Sequence, residues 1–167
     1  MREKHGFELD SIDWVNLYVS PLCLTVTDKK NPKNGLEGKF SLYFCGAMAL
    51  SDGKVLESQF TPGKMKDHRI RNLMKKIRAS GNNSLRESEA RIAIQLKNGS
   101  RLKSVVSFPK GDPKNPMSFD EIVEKFNDLT QPFLSDHQRN KIILIVKNLE
   151  RMVNPSTLLK LCRAKKH

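Results

Sequence analysis

The sequence has few cysteines, and their arrangement indicates neither a disulfide framework nor a zinc site. Cys23, Cys45 and Cys162 are far apart and lack CxxC spacing, and the four histidines are equally scattered. This usage is typical of buried thiols in a reducing compartment. We therefore expect a cytoplasmic protein without disulfides, bound metal or metal-dependent chemistry.

Long apolar runs and acidic residues are also scarce. The most apolar stretch, FSLYFCGAMAL at residues 40–50, is too short for the roughly 20 residues of a membrane span. The N-terminus, MREKHGFELD, lacks the apolar segment of a secretory signal, so we expect no membrane association. Thirty Lys and Arg residues against 18 Asp and Glu give a formal net charge of +12, which favours anionic partners.

The basic residues occur in every segment, with local concentrations at residues 64–78 and in the tail, residues 163–166. Basic charge alone is a weak indication of nucleic-acid binding. The basic face of the 64–78 segment has no interleaved aromatic side chains on which bases would stack, and a solvated face is the simpler interpretation. Nucleic acid is therefore not the expected partner.

Apolar periodicity predicts a single α+β domain over residues 1–167, with a small, mainly antiparallel sheet of about three strands packed against several helices. Residues 12–20 alternate as a strand, and Pro21 marks its end or an edge. After a polar loop at residues 27–35, residues 36–50 form a helix that is apolar on nearly every side. Such a helix has to be enclosed, so we expect it at the centre of the domain.

A second helix is predicted at residues 67–79, with Asp67 as its N-cap and Ile77 in its apolar stripe. Later, Ser118 and Glu121 have the spacing of a capping box that opens another helix. Ser135 or Asp136 caps the next one, and Asn154–Pro155 opens a short last helix.

Two alternating strands are predicted in residues 91–108, around Asn98 and Gly99. The apolar residues of both strands occupy even-numbered positions. Since paired apolar residues must share a face, the loop has to contain an odd number of residues. We predict a three-residue loop with Gly99 in the left-handed conformation, rather than a two-residue turn.

No catalytic motif is complete. The segment GLEGKFS contains Gly-Lys and a nearby serine, but Lys33 stands five residues before Gly38 and Phe40 follows Lys39, so it is not a phosphate-binding loop. GxSxG, HExxH and paired metal-ligand spacings do not occur in the sequence. From the residues alone the catalytic residues are unknown, and no cofactor is expected.

Three segments nevertheless resemble the MmgE/PrpD family, which includes 2-methylcitrate dehydratase, cis-aconitate decarboxylase and iminodisuccinate epimerase. They are NPKNGLEGKFSLYFCGAMALSDGKV at 31–55, ARIAIQLKNGSRL at 90–102 and FPKGDPKNPMSFDEIVEKFNDL at 108–129. The segment GDPKNPMS is the most specific of these matches. The resemblance covers essentially the whole chain, but only the C-terminal part of a typical family member.

The resemblance implies a C-terminal α+β lid domain. In the family, a larger helical N-terminal domain contains much of the catalytic machinery, and the active site lies between the two. The resemblance therefore implies a truncated or split lyase that acts on tricarboxylate-type substrates and needs a helical partner domain or subunit. The chain alone is expected to be inactive, with an exposed apolar face that meets the partner or leads to self-association.

Within this resemblance, Lys39 is the first candidate for substrate binding, because a cation beside helix N-terminal amides suits a carboxylate. Asn31, Ser41 and Tyr43 are weaker candidates in the same neighbourhood. A structural Lys39 that reaches back to solvent is the favoured alternative. Tyr43 also stands where the family often has proline, and Phe44 where it often has tyrosine, so a hydroxyl group is lost at that position.

A second hypothesis stays open at this point. Under this hypothesis, the chain is a non-catalytic binding module, or a degenerate remnant of the family, that binds a small anion or nucleic acid. Binding to nucleic acid would have to depend steeply on salt concentration.

Overall fold

The computed structural model describes residues 5–152 and 154–163 and shows an α+β architecture. The chain divides into two compact units at the boundary between Pro116 and Met117. Within the described residues, the first unit contains a four-stranded mixed sheet and five α-helices, and the second contains three α-helices. The prediction of a single domain over residues 1–167 stays a prediction.

The sheet has the strand order β2-β1-β3-β4. Its strands are β1 (Ile12–Val19), β2 (Ile77–Gly81), β3 (Ala90–Leu96) and β4 (Arg101–Val106). The strand β2 runs parallel to β1, whereas β1, β3 and β4 are joined by antiparallel ladders. The sheet is therefore mainly antiparallel, as predicted, with one strand more than expected.

The α-helices of the first unit are α1 (Pro21–Thr27), α2 (Gly35–Lys39), α3 (Leu42–Asp52), α4 (Pro62–Lys66) and α5 (His68–Lys76). Those of the second unit are α6 (Phe119–Thr130), α7 (Asp136–Lys147) and α8 (Ser156–Leu161). Short 3-10 turns lie at Leu9–Ser11, Glu57–Gln59 and Leu149–Arg151.

The central position of the apolar helix is confirmed. Phe44, Ala47 and Met48 of α3 are fully buried, and they belong to one apolar cluster with Val15 of β1 and Ile70 of α5. Fully burying a side chain such as Phe44 or Met48 contributes about 1.5–3 kcal/mol to folding. The helix α3 therefore organises the core of the first unit.

The predicted hairpin loop is also confirmed. Ile94 lies opposite Leu102, and the N–H of Leu96 donates to the carbonyl of Ser100 at 2.8 Å, which leaves a loop of three residues. Gly99 closes it with a φ of +87°, and its N–H donates to the Leu96 carbonyl at 3.0 Å. The left-handed region costs a glycine little, because it has no Cβ to clash with the backbone.

The helix predicted at residues 67–79 is shorter in the structure. It ends at Lys76, and the buried Ile77 begins β2 opposite Val15. An isoleucine at that position continues the helical spacing and also suits a buried strand, so periodicity does not distinguish the two. The pairing with β1, more than 60 positions earlier in the chain, decides between them.

The strand β1 ends at Val19, so Pro21 marks its end as predicted. Pro21 also opens the helix α1 with Ser20 as its N-cap, because a proline at the first helical position gives up only an N–H that would lack a helical partner. One further boundary differs from the predictions. The helix predicted at residues 36–50 is divided into α2 and α3 by a break at Phe40 and Ser41. Ser41 caps α3 by accepting a hydrogen bond from the Phe44 N–H at 3.1 Å.

The second unit has two long helices with capping boxes but little core. The capping box of Ser118 and Glu121 is present, and Ser135 caps α7 together with Gln138. Leu134 and Ile142 are buried. Large apolar side chains of this unit are exposed to water by 37–68% of their surface: Phe119, Ile122, Leu129, Phe133, Leu144, Val146, Leu149 and Leu159.

Two properties of the described residues bear on function. Across residues 5–152 and 154–163, each helix is too short or too polar to cross a bilayer. In the same residues, no three His, Cys, Asp or Glu side chains are grouped so as to hold a metal ion.

Candidate functional site

The candidate residues surround one loop, residues 28–34, which we call the anchored loop. It connects α1 to α2 and begins beside Ser41. The Ser41 hydroxyl is almost completely buried; it donates to the carbonyl of Lys29 at 2.5 Å and accepts from the Phe44 N–H. Ser41 therefore fixes the start of the anchored loop to the start of α3.

Tyr43 holds the same end of the loop from the first turn of α3. Its hydroxyl donates to the Asp28 carboxylate at 2.6 Å, and its side chain is 7% exposed. Burial, the hydrogen bond to Asp28 and the negative charge of Asp28 raise the pKa of Tyr43 from 10.0 to about 12. At neutral pH Tyr43 is therefore a fixed hydrogen-bond donor and not a base.

Arg71 of α5 holds the middle of the loop. Its guanidinium donates to Asn31 Oδ1 and to the Pro32 carbonyl, each at 2.9 Å, and to the Met65 carbonyl at 2.6 Å. Sequence reasoning assigned Arg71 to a solvated basic face and missed this role. Its helical position gave no signal, because its partners lie about 40 positions away in the sequence.

Lys39 lies at the end of α2 rather than at the N-terminus of α3. Its ammonium group is 2.5 Å from a carboxylate oxygen of Glu57 and 5.8 Å from the centre of the Phe60 ring. The side chain is 36% exposed, so the pair remains in contact with water. An exposed pair of this kind contributes about 0–1 kcal/mol to stability.

Gly35 allows α2 to approach this neighbourhood closely. A Cβ at position 35 would lie 2.2 Å from the carbonyl oxygen of Phe60, which is far inside van der Waals contact. Asn34 caps the same helix by accepting from the Glu37 N–H at 2.9 Å. Any other residue at position 35 would push α2 away from Phe60, and with it the end of the anchored loop.

Three of the four predicted residues therefore lie in the anchored loop or hold it, whereas Lys39 contacts residues outside it. Ser41 and Tyr43 are buried and hold its backbone, Asn31 is bound by Arg71, and Lys39 is paired with Glu57. The loop itself presents three lysines to solvent: Lys29, Lys30 and Lys33. Cations on a fixed backbone suit the electrostatic attraction of a carboxylate anion.

A neighbouring charged cluster ties α3 to α4. Lys64 and Gln59 both donate to the Asp52 carboxylate, at 2.5 and 2.7 Å. Burial raises the pKa of Asp52, but the hydrogen bonds and the charge of Lys64 outweigh it and hold that pKa below its ordinary value. Asp52 is therefore ionised at neutral pH, and its hydrogen bonds explain its position without catalysis.

The thiol of Cys45 is a candidate nucleophile near the start of α3, and its surroundings decide its role. It lies in α3, where burial raises the pKa of its thiol. Its Sγ donates to the carbonyl of Gly38 at 3.4 Å. A protonated and partly buried thiol is a poor nucleophile, so Cys45 acts as a packing residue. Around the anchored loop, the hydrogen bonds of Ser41, Tyr43 and Arg71 therefore hold backbone and side chains in place.

Two comparisons with known proteins agree with each other. The family model described as the MmgE/PrpD C-terminal domain matches residues 1–151. A curated relative, the cis-aconitate decarboxylase-like protein oryM of Aspergillus oryzae (strain ATCC 42149 / RIB 40), is 28% identical over 138 residues. That stretch covers 80% of this chain but only 28% of the relative, so the chain spans less than a third of that protein's length.

Proposed function

The chain belongs to the MmgE/PrpD family as its C-terminal domain, and from that premise we propose that it is the lid domain of a lyase. The lid closes over a helical N-terminal domain, which lies in the same polypeptide or in a separate subunit. The substrate is a tricarboxylate-type anion, of the class to which 2-methylcitrate and cis-aconitate belong. The free cysteines support a cytoplasmic location.

The observation that carries this proposal is the extent of the match. The matching family model is that of a C-terminal domain, which implies an N-terminal partner domain. The curated relative extends over more than three times the matched length, and its printed name is that of a decarboxylase-like protein. Among the described residues, Cys45 has a thiol whose pKa is raised by burial, which supports a lid that depends on its partner domain for catalysis.

The second unit supports the same proposal. It exposes large apolar side chains, with Ile122 at 50%, Phe133 at 52% and Leu144 at 63% exposure. Large apolar side chains exposed in this number commonly mark an interface with another domain. We propose that this surface meets the helical domain, and that self-association covers it when that domain is absent.

The anchored loop is the part of the lid that we place next to the substrate. Asn31 and Lys39 are the exposed candidates for direct contact, while Ser41 and Tyr43 keep the loop in place. Phe44 is fully buried and has no hydroxyl, so any contact that a family tyrosine makes at this position is missing here. The exposed lysines of the loop would attract the substrate's carboxylates.

Steady-state turnover tests the proposal. The purified chain is assayed with 2-methylcitrate and with cis-aconitate, first alone and then with its helical domain. We expect no turnover by the chain alone and measurable turnover by the mixture. Robust turnover by the chain alone would refute the proposal, and an inactive mixture in which both parts are folded and bound would favour the binding-module hypothesis.

Two matched variants test in the same assay whether the substrate binds at the anchored loop. Lys29→Ala combined with Lys30→Ala should raise KM several-fold and leave kcat nearly unchanged, because the two lysines attract substrate but do not react with it. The control, Lys97→Ala combined with Lys103→Ala, removes the same charge from exposed positions of the hairpin of β3 and β4. Equal effects of the two variants would contradict a substrate site at the anchored loop.

A further inference from the structure

The face of the sheet turned away from α3 has an unusual composition, and we call it the outer sheet face. On β1, the inward face carries Val15 in the apolar core, Leu17 packed against that core, and Val19 in a small apolar cleft. Since side chains alternate along a strand, Trp14 and Tyr18 lie on the opposite face. The ladders place four basic residues on that same face: Arg78, Arg91, Arg101 and Lys103.

Both aromatic side chains of the outer sheet face lie on β1, in the interior of the sheet. They are four positions apart, which separates them by about 13 Å along the strand. The guanidinium of Arg101 lies 4.9 Å from the centre of the Trp14 ring. Tyr18, together with Arg91, Arg101 and Lys103, lines an open cleft of about 500 Å³.

The charges lie on both sides of these rings. One row of paired residues crosses the sheet from Arg78 of β2 through Asn16 and Ala93 to Lys103 of β4. Arg78 and Lys103 are therefore three strand spacings, or about 14 Å, apart. Arg91 forms an ion pair with Glu89 at 2.9 Å. Among the described residues, neither Arg78 nor Lys103 has a carboxylate within ion-pair distance.

A ligand that uses the whole of this surface needs flat apolar groups in its interior and negative charges along its edges. A small carboxylate anion lacks the flat groups, and a nucleic-acid duplex keeps its base faces stacked inside. A single strand has both features, because its bases stack on aromatic rings and on guanidinium planes while its phosphates pair with Lys and Arg.

We propose that the outer sheet face binds single-stranded nucleic acid. The proposal is independent of the lyase function, because it uses neither the anchored loop nor the apolar surface of the second unit. The basic face of α5 lacks aromatic residues and is not part of the site. The sheet thus brings together the aromatic and basic residues that the sequence showed only as separate segments.

The single tryptophan of the chain, Trp14, provides a direct signal. The experiment titrates the full chain with a ten-residue oligo(dT) or oligo(U) while the tryptophan fluorescence is recorded. We expect saturable quenching, since a base stacks on Trp14 or on Arg101 above it. The plot of log K against log salt should have a slope of about −2 to −3, because three or four phosphate contacts contribute about −0.7 each.

Variants separate stacking from charge, with affinities measured by the anisotropy of a labelled oligonucleotide. Tyr18→Ala should weaken binding roughly tenfold, the usual effect of losing one stacking platform. Arg78→Ala combined with Lys103→Ala should reduce the magnitude of the salt slope by about 1.4. The charge-matched control, Arg69→Ala combined with Lys75→Ala on the exposed face of α5, should leave affinity and slope unchanged.

Several outcomes would overturn the proposal, provided that thermal melting shows the variants to be folded. They are no binding at low salt, binding without a change in Trp14 fluorescence, and equal weakening by the α5 control. Heparin, which has charge but no bases, would overturn it by producing the same quenching and the same loss with Tyr18→Ala. A preference for oligo(U) over oligo(dT), or the reverse, supports the proposal and identifies RNA or DNA as the ligand.

Discussion

At the scale of single residues, the polar groups around the anchored loop serve mainly to hold its backbone. The hydroxyls of Ser41 and Tyr43 and the guanidinium of Arg71 all have partners in the loop or beside it. A loop of charged residues with so many anchors is positioned before any ligand arrives. Such preorganisation reduces the cost of ordering the loop on binding.

The hydrogen bond between Tyr43 and Asp28 leads to a prediction about pH. In Tyr18→Phe, Tyr43 is the one remaining tyrosine, and its ionisation can be followed by ultraviolet absorbance. We expect a midpoint near pH 12 in the folded protein, because burial and Asp28 favour the neutral phenol. A midpoint near 10 in the folded protein would show that the phenol is not buried against Asp28.

The same bond contributes to stability with a defined sign. Between pH 10 and 12 the unfolded chain has lost the phenolic proton while the folded chain retains it, so the free energy of unfolding falls as pH rises through this interval. Tyr43→Phe should lack that part of the fall and should lose about 1 kcal/mol at neutral pH. Tyr18→Phe is the control, because the Tyr18 hydroxyl makes only a 3.4 Å contact with Asn16.

At the scale of elements, the hairpin of β3 and β4 depends on the backbone of Gly99. Gly99→Ala should lower the free energy of unfolding by about 1–2 kcal/mol, because the left-handed conformation strains any residue with a Cβ, even though that Cβ would meet open space. Gly63→Ala, in the helix α4, is the matched control and should be neutral or stabilising. Denaturant unfolding measures both, and equal losses would contradict the role of the turn.

Elements fixed by neighbouring residues were predictable from the sequence, and elements fixed by distant pairing were not. The capping box at Ser118, the N-cap at Ser135 and the three-residue loop before Ser100 follow from local spacing. The strand β2 exists because Ile77 pairs with Val15 far back in the sequence, and helical periodicity concealed it. Arg71 was missed for the same reason, since a basic residue on a helix gives no sign of a distant loop.

At the scale of the whole molecule, the proposed lid role would account for the apolar side chains that the second unit exposes. The second unit exposes eight large apolar side chains, a composition that a surface facing only water would not be expected to have. The sequence resemblance predicted an exposed apolar face that meets a larger domain, and we propose that it is this surface. It also named Lys39, Asn31, Ser41 and Tyr43 as candidates for substrate binding, which stays a prediction. The partners of Lys39 and Tyr43 were not predictable, because they depend on tertiary contacts.

The most direct test of the account is the affinity of this chain for its helical domain, measured by isothermal titration calorimetry. We predict a complex that is weakened at least about tenfold by Ile122→Asp combined with Phe133→Asp, because the interface would then bury two unpaired charges. Leu22→Asp combined with Val26→Asp, which alters equally exposed positions of α1, should leave the affinity unchanged. No binding by the folded wild-type chain, or equal binding by the second-unit variant, would contradict the account.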